Sequence, residues 1–110
     1  MVNSILTGAG FVKNETYKEN RFLKAPKVTY AVYDDSQERR GADNLNLVTS
    51  HSITIELYEY KPDPDAEKRL EAQLDLYGLE FTKQSRYWIQ EDQIYQVIYS
   101  FDYIEKKGAL

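Results

Sequence analysis

The stretch from Ser52 to Leu79 constrains the fold most, because its pattern changes from strand to turn to helix within 28 residues. Ile53, Ile55 and Leu57 alternate with polar or aromatic residues, which is the period of a half-buried strand. The segment 61–64, Lys-Pro-Asp-Pro, then ends the strand. This stretch therefore predicts a strand followed at once by another element.

The second half of the stretch predicts a helix. Asp63 belongs to the residue types that cap helices, and Pro64 suits the first helical position because its missing N–H would have no intrahelical partner. Gly78 ends the run as a residue that tolerates left-handed backbone. Apolar residues follow at helical spacing: Ala66, Leu70, Leu74 and Tyr77. The stretch predicts a fold but indicates no reaction.

Further elements are predicted on both sides of this stretch. Residues 28–33 alternate as a strand, and residues 79–89 predict another strand whose polar middle bulges or bends. The longest predicted strand runs from Ile94 to Ile104. A short helical turn fits Met1 to Gly10, whereas residues 11–24 carry no clear pattern.

The expected fold class is α+β in a single domain, residues 1–110, with element order α-β-β-α-β-β. We expect about four mainly antiparallel strands, because consecutive strands joined by turns pair in that way. One central helix packs on the sheet, a short helix precedes it at the N-terminus, and residues 105–110 form a frayed tail. One helix covers a four-stranded face incompletely, so part of the sheet is available to a partner.

The polar segment 34–50 allows two interpretations. It is too long for an ordinary tight connection, since most connections in compact domains have about 4–6 residues. The first interpretation is a long polar loop. The second is a long hairpin in which Leu45, Leu47 and Val48 begin the next strand and only the tip is irregular.

Composition excludes several classes of function. The chain has no cysteine, so it has no disulfide, thiol nucleophile or cysteine-based metal site. No apolar run reaches the roughly 20 residues that span a bilayer, and the first ten residues lack the features of a signal peptide. Residues 51–110 hold twelve acidic against seven basic residues, which disfavours a protein that neutralises nucleic-acid phosphates. We expect a protein made in the cytosol that contacts neither membrane nor specific nucleic acid.

The residues that invite a catalytic interpretation have simpler explanations. Asp63 and Asp65 suit the capped first turn of a helix, where acids are favoured by the helix dipole. Glu91 and Asp92 suit a turn. His51 is the only histidine and is expected to be a packed or surface side chain. We therefore expect no catalytic, cofactor-binding or metal-ligating residues.

Taken together, the pattern resembles the tail-terminator (tail-completion) family, small neck and tail proteins of long-tailed bacteriophages and prophages of Gram-positive hosts. The resemblance covers about residues 26–107. It is carried by residues 28–34 (VTYAVYD) and 41–43 (GAD), residues 55–58 (IELY), the helix residues Glu67, Leu70, Glu71 and Leu74, Gly78, and residues 95–101 (YQVIYSF).

The resemblance implies a structural protein of the virion neck, not an enzyme. Members form rings, commonly hexameric, that cap the tail tube, stop its polymerisation and join it to the filled head. The implied partners are other copies of the chain, the tail-tube protein and the head–tail connector proteins, assembled in the cytoplasm of the host bacterium. The polar segment 34–50 is placed to reach a neighbouring copy. There we expect polar docking contacts from Glu38, Arg39, Arg40, Asp43 and Asn44.

Three other functions stay open. Another neck component, such as a head-closure or connector protein, would share the ring and differ in its partner. A small regulatory binding protein would use an exposed sheet face to block a host protein. A small enzyme would require the acidic residues to converge in a cleft.

Overall fold

The computed structural model describes residues 1–40 and 48–106 as an α+β domain, with two helices on one face of a six-stranded sheet. The elements in chain order are α1 (Val2–Gly8), β1 (Tyr17–Glu19), β2 (Tyr30–Arg40), β3 (Val48–Glu59), α2 (Pro64–Leu76), β4 (Phe81–Lys83), β5 (Tyr87–Ile89) and β6 (Ile94–Lys106). Neither described helix is long and apolar enough to cross a membrane.

Three long strands form the centre of the sheet. The strand order is β1-β2-β3-β6-β4, and β5 also pairs with β6 next to β4. β3 is antiparallel to both β2 and β6, and the register is continuous along both ladders. Only β1 is parallel to its neighbour β2. The mainly antiparallel α+β class is therefore confirmed.

Strand alternation decides which side chains enter the core. Ile53, Ile55 and Leu57 on β3 are almost fully buried under the helices, as are Tyr99 and Phe101 on β6. The helices contribute the rest of the apolar layer, chiefly Ile5, Leu6, Ala66, Leu70 and Leu74. The row containing Ile53 and Phe101 is the last one in which the apolar core spans the sheet.

The predicted helix signals operate as expected in α2. The Asp63 carboxylate accepts a hydrogen bond from the Ala66 backbone N–H at 3.1 Å, and Pro64 occupies the first turn. Gly78 has a positive φ of 68°, the left-handed conformation that favours glycine after a helix. The Arg69 Nε donates to the carbonyl of Ala9 at 2.9 Å, which ties α2 to the end of α1.

The structure corrects the predicted number and pairing of strands. The single strand expected over residues 79–89 is two short strands, β4 and β5, which both pair with β6. The weakly patterned segment 11–24 contains β1, which pairs in parallel with β2 and places Tyr17 in the core. The main partner of β6 is β3, so the sheet is not two separate hairpins joined by a helix.

The segment 34–50 is a long hairpin where it is described. β2 continues to Arg40 and β3 begins at Val48, which agrees with the second interpretation and not with a long loop. Residues 41–47 lie outside the described residues. The tail expected to fray from residue 105 instead remains in β6 through Lys106, and residues 107–110 are outside the described part.

Candidate functional site

The long strands extend beyond the apolar core as a three-stranded projection, here called the distal sheet. It comprises Ser36–Arg40 of β2, Val48–Ser52 of β3 and Asp102–Lys106 of β6, aligned in five rows. Among the described residues of these rows, only Tyr103 packs against the apolar core, so apolar packing contributes little to holding the rows together. The two ladders satisfy the backbone groups that β2, β3 and β6 direct toward one another, and the side chains supply the other contacts between the strands.

Three of the predicted contact residues lie on this projection. Glu38 pairs with Ser50 and Arg39 with Thr49 across the ladder, and the side chains of Glu38 and Arg39 are exposed. The Arg39 guanidinium makes no hydrogen bond or ion pair with any described residue. Arg40 is the last residue of β2.

The prediction had placed these residues on a loop, and this is corrected. They belong to a regular strand, in which Glu38, Arg39 and Arg40 keep an unbroken register with β3. Strand alternation points Glu38 and Arg39 to opposite faces of the sheet. The remaining two predicted contacts, Asp43 and Asn44, lie outside the described residues.

A histidine between two carboxylates ties the three strands of the distal sheet together. His51 Nδ1 lies 2.9 Å from Asp35 Oδ1 on β2, and His51 Nε2 lies 2.9 Å from Glu105 Oε1 on β6. The imidazole also stacks on Tyr103, with ring centroids 4.3 Å apart. His51 is buried, as expected for a packed histidine.

This arrangement favours the imidazolium form of His51. Burial alone lowers the pKa of His51, but the hydrogen bonds to Glu105 and Asp35 outweigh it and raise the pKa above its ordinary value. A protonated ring donates from both nitrogens, so each carboxylate receives one charge-assisted bond. Since both nitrogens bond to carboxylates on neighbouring strands, the ring cross-links β2, β3 and β6.

A second group of charges lies at the other end of β3, under the start of α2. Glu59 is fully buried; its Oε1 accepts the Asp63 backbone N–H at 3.1 Å and Arg86 Nε at 3.2 Å. Arg86 Nη2 also lies 2.6 Å from Glu67 Oε2. Lys83 Nζ lies 2.9 Å from Glu67 Oε1. Glu59, Glu67, Lys83 and Arg86, together with Glu71, are called the carboxylate cluster below.

Glu71 connects the carboxylate cluster to the core. Its Oε2 accepts from Lys83 Nζ at 2.8 Å and from the Tyr99 hydroxyl at 2.7 Å. Burial raises the pKa of that hydroxyl, and its hydrogen bond to Glu71 raises it further. Lys83 therefore bridges Glu67 and Glu71, which are one helical turn apart and would otherwise repel each other.

The carboxylate cluster is electrically balanced when Glu59 holds a proton. Burial raises the pKa of Glu59 to about 7, and its hydrogen bond to Glu67 contributes in the same direction. Burial also disfavours ionised Glu67, but hydrogen bonds from Glu59, Lys83 and Arg86 lower its pKa overall. Glu59 Oε2 is buried and accepts no hydrogen bond within the described residues. When Glu59 is neutral, the carboxylates of Glu67 and Glu71 balance the cations Lys83 and Arg86.

Sequence reasoning did not find this cluster, although one signal was present. The alternation of Ile53, Ile55 and Leu57 places Glu59 on the same buried face. A carboxylate at a core position requires a partner or a proton. The partners, Lys83 and Arg86, come from the segment between β4 and β5, and no local pattern identifies them.

The acidic residues considered for catalysis do not form one site. Asp63 caps α2, as predicted, and its second oxygen accepts from the Thr29 hydroxyl at 2.7 Å. Asp65 is exposed in the first turn of α2, and Glu91 and Asp92 are exposed in the turn before β6. Over residues 1–40 and 48–106, no group of three acidic or histidine side chains is arranged to hold a metal ion.

No protein-family model matches this chain, and no curated protein matches it. The candidate site is therefore defined by its own geometry: a charged projection with exposed Arg39, cross-linked by His51 and anchored beside the core.

Proposed function

We propose that this chain is a ring-forming structural protein of a phage neck, a tail-terminator or tail-completion protein. In this role copies of the chain assemble in the cytoplasm of the host bacterium, cap the tail-tube protein and join the tail to the head–tail connector proteins. Rings in the family that the sequence resembles are commonly hexameric. The protein is not an enzyme in this proposal.

The observation that carries the proposal is the distal sheet. Five regular rows extend beyond the last row of the apolar core, and the described domain measures 50 × 28 × 23 Å. A projection of this kind contributes little to its own core, and its exposed strands are well suited to contacts with another chain. It also contains Arg39, an exposed cation without a described partner, in a chain of net charge −4.

The difference between the two sides of the sheet is a second reason to propose a ring. A ring requires a heterologous interface, in which one face of a subunit meets a different face of the next. The sheet has β1 beyond β2 on one side and β4 and β5 beyond β6 on the other. The two sides therefore present different residues, as such an interface requires.

The first experiment measures the assembly of the purified protein. Light scattering after size exclusion should give a discrete multiple of the 12.9 kDa chain mass, and negative-stain images should show rings. The tail-tube protein is then added. A chain that stays monomeric at high concentration, with the tube protein present, contradicts the proposal.

Deletion of the gene separates the proposal from its alternatives. Overlong or headless tails support a terminator. Unstable, empty heads indicate head closure, and normal virions indicate a regulatory binding protein.

An enzyme is tested by replacing Asp63, Asp65, Glu91 and Asp92 with their amides. Asparagine still caps a helix, so Asp63→Asn should leave the fold intact. A structural protein should assemble normally with all four replacements. Loss of a turnover activity with the fold retained would instead support the enzyme.

A further inference from the structure

The distal sheet has two open edges. β1 covers the outer edge of β2 only at Ala31, Val32 and Tyr33. β4 covers the outer edge of β6 only as far as Phe101. Within the described residues, no strand pairs with the outer edge of β2 from Asp34 onward, or with that of β6 from Asp102 onward.

The hydrogen bonds that β2 makes to β1 and to the segments next to β1 show which backbone groups of β2 face outward, away from β3. The Ala31 N–H donates to the Thr16 carbonyl at 2.9 Å, and the Tyr33 carbonyl accepts from the Asn20 N–H at 2.8 Å. The backbone N–H and C=O groups of odd-numbered residues of β2 therefore point away from β3. Because direction alternates along a strand, the open edge presents the N–H and C=O groups of Asp35, Gln37 and Arg39.

The same reasoning identifies the outward groups of β6. The Ile98 carbonyl accepts from the Gln84 N–H at 2.9 Å on the β4 side. The backbone N–H and C=O groups of even-numbered residues of β6 therefore point away from β3. The open edge presents the backbone groups of Asp102, Ile104 and Lys106.

Within residues 1–40 and 48–106, neither edge has a proline, a bulge, or a covering helix or loop to block strand pairing. Both edges do carry charged side chains, which discourage pairing unless the facing edge supplies the opposite charge. Both strands keep an unbroken register with β3 over these rows and contain no proline or glycine. The edges belonging to β1, β4 and β5 are only three residues long.

We infer that the open edge of β2 in one copy pairs with the open edge of β6 in the next, so that neighbouring copies share a continuous sheet. This inference rests on the self-association in the proposed function and names its interface. β2 and β6 are both antiparallel to β3, so they run in the same direction. A rotation about an axis along the strands preserves that direction, and the shared pairing is parallel.

The occupant is a second copy because one chain supplies both halves of the interface. The two open edges span the same five rows and lie on opposite sides of β3. When the rows of the two copies are level, Arg39 of one copy lies beside Glu105 of the next on the same face of the sheet. That contact gives an acidic partner to the Arg39 guanidinium, which has none among the described residues of its own copy.

Proline at an outward position tests the pairing, because it removes one outward N–H and no backbone hydrogen bond within the subunit. The hydrogen bond from the Gln37 side chain to Asp35 is lost in both Gln37→Pro and its alanine control. Proline is tolerated on an edge strand where the N–H would face solvent. Gln37→Pro disables the β2 edge, and Ile104→Pro disables the β6 edge. Gln37→Ala and Ile104→Thr are the matched controls, since they change the side chain and keep the N–H.

Each proline variant should be monomeric by light scattering while the two controls assemble as the wild type does. Mixing the two proline variants should restore a one-to-one dimer and nothing larger, because each retains one usable edge. A dimer formed by either variant alone would show isologous pairing of like edges and overturn the inference. Normal assembly of both proline variants would overturn it as well, while leaving the ring proposal intact. A monomeric wild type would contradict both.

Cross-linking keeps the test independent of the proline variants and their folding. The chain has no native cysteine, so Arg39→Cys and Glu105→Cys introduce the only thiols. When the rows of two copies are level, the Cα atom of residue 39 in one copy lies about 5 Å from that of residue 105 in the next, which is within disulfide range. Mild oxidation of the double variant should give a ladder of covalent oligomers, and mixed single variants should give a dimer. Assembly without this cross-link overturns the level, parallel pairing.

Discussion

The imidazole of His51 lies flat against the ring of Tyr103, with an interplanar angle of 3°. The two residues face each other across the β3–β6 ladder. Tyr103 also packs against the edge of the apolar core, and the carboxylates of Asp35 and Glu105 lie at the edges of the imidazole, so this stack connects the core to the distal sheet. The stability of the projection should therefore depend on protonation.

His51→Gln should reduce the pH dependence of unfolding near neutrality. The folded protein raises the pKa of His51, so this contribution is fully present below the unfolded value and is lost as pH rises through the folded value. We expect the variant to be less stable at pH 5.5 by on the order of 1 kcal/mol, with a smaller difference at pH 8.5. Urea denaturation of the variant and the wild type at both pH values measures this difference in stability. An equal loss at both would mean that the charge of His51 contributes nothing.

Glu59→Gln should stabilise the protein at alkaline pH. Because burial raises the pKa of Glu59 to about 7, the wild type loses stability as pH rises from the ordinary glutamate range through 7. A neutral amide avoids that loss, and we expect a gain on the order of 1–3 kcal/mol at pH 8.5. Thermal melts between pH 5.5 and 8.5 measure it, with exposed Glu91→Gln as control. A variant less stable than wild type at pH 8.5 would show that Glu59 is held as the anion.

Arg86→Ala should loosen the segment between β4 and β5. The guanidinium joins that segment to Glu59 and Glu67, and its removal leaves buried carboxylates short of a partner. Because Arg86 is partly exposed, we expect a loss of about 1–3 kcal/mol, below that for a fully buried pair. Limited proteolysis should cut first between residues 84 and 92. The exposed Lys24→Ala serves as control, and cleavage starting elsewhere would place the weak point in another element.

Arg39→Glu should weaken assembly without lowering the melting temperature by more than about 1–2 °C, since an exposed charge contributes little to the fold. The side chain is exposed and has no described partner. Light scattering over a dilution series measures assembly, and Lys24→Glu repeats the charge reversal on a distant loop. A parallel fall in melting temperature would assign Arg39 to the fold instead of an interface.

Asp63→Ala should destabilise the domain, whereas Asp65→Ala should be nearly neutral. Asp63 caps α2 and accepts from the Thr29 hydroxyl, and loss of a cap costs about 1 kcal/mol. Asp65 is exposed and contributes mainly through the helix dipole, worth about 0.3–1 kcal/mol. Urea denaturation of the two variants compares them directly. Equal losses would contradict the capping role.

Elements with strong local signals could be predicted from the sequence. The alternation around Ile53, Ile55 and Leu57 identified β3 and its buried face, and Asp63 with Gly78 marked the two ends of the central helix. In each case the signal lies within a few residues of the structure that it specifies.

Elements that depend on distant partners could not be predicted. β1 has only three residues, and its bonds to β2 join positions 14 apart. The strand expected over residues 79–89 is divided because Lys83 and Arg86 turn toward Glu67 and Glu59. The sequence around Lys83 and Arg86 contains no pattern that predicts these distant partners. The assignment of Glu38 and Arg39 to a subunit contact stays a prediction, and of the two interpretations of segment 34–50 the structure agrees with the hairpin.

The position of β6 also bears on when the protein can fold during synthesis. β6 follows all the other strands along the chain, yet it pairs with β3, β4 and β5. A nascent chain that ends before Ile94 leaves one side of β3 unpaired and leaves β4 and β5 without partners. Pairings so distant in the chain form slowly. The emerging polypeptide thus lacks half of the inferred pairing edge until β6 has left the ribosome, which limits premature association between unfinished copies.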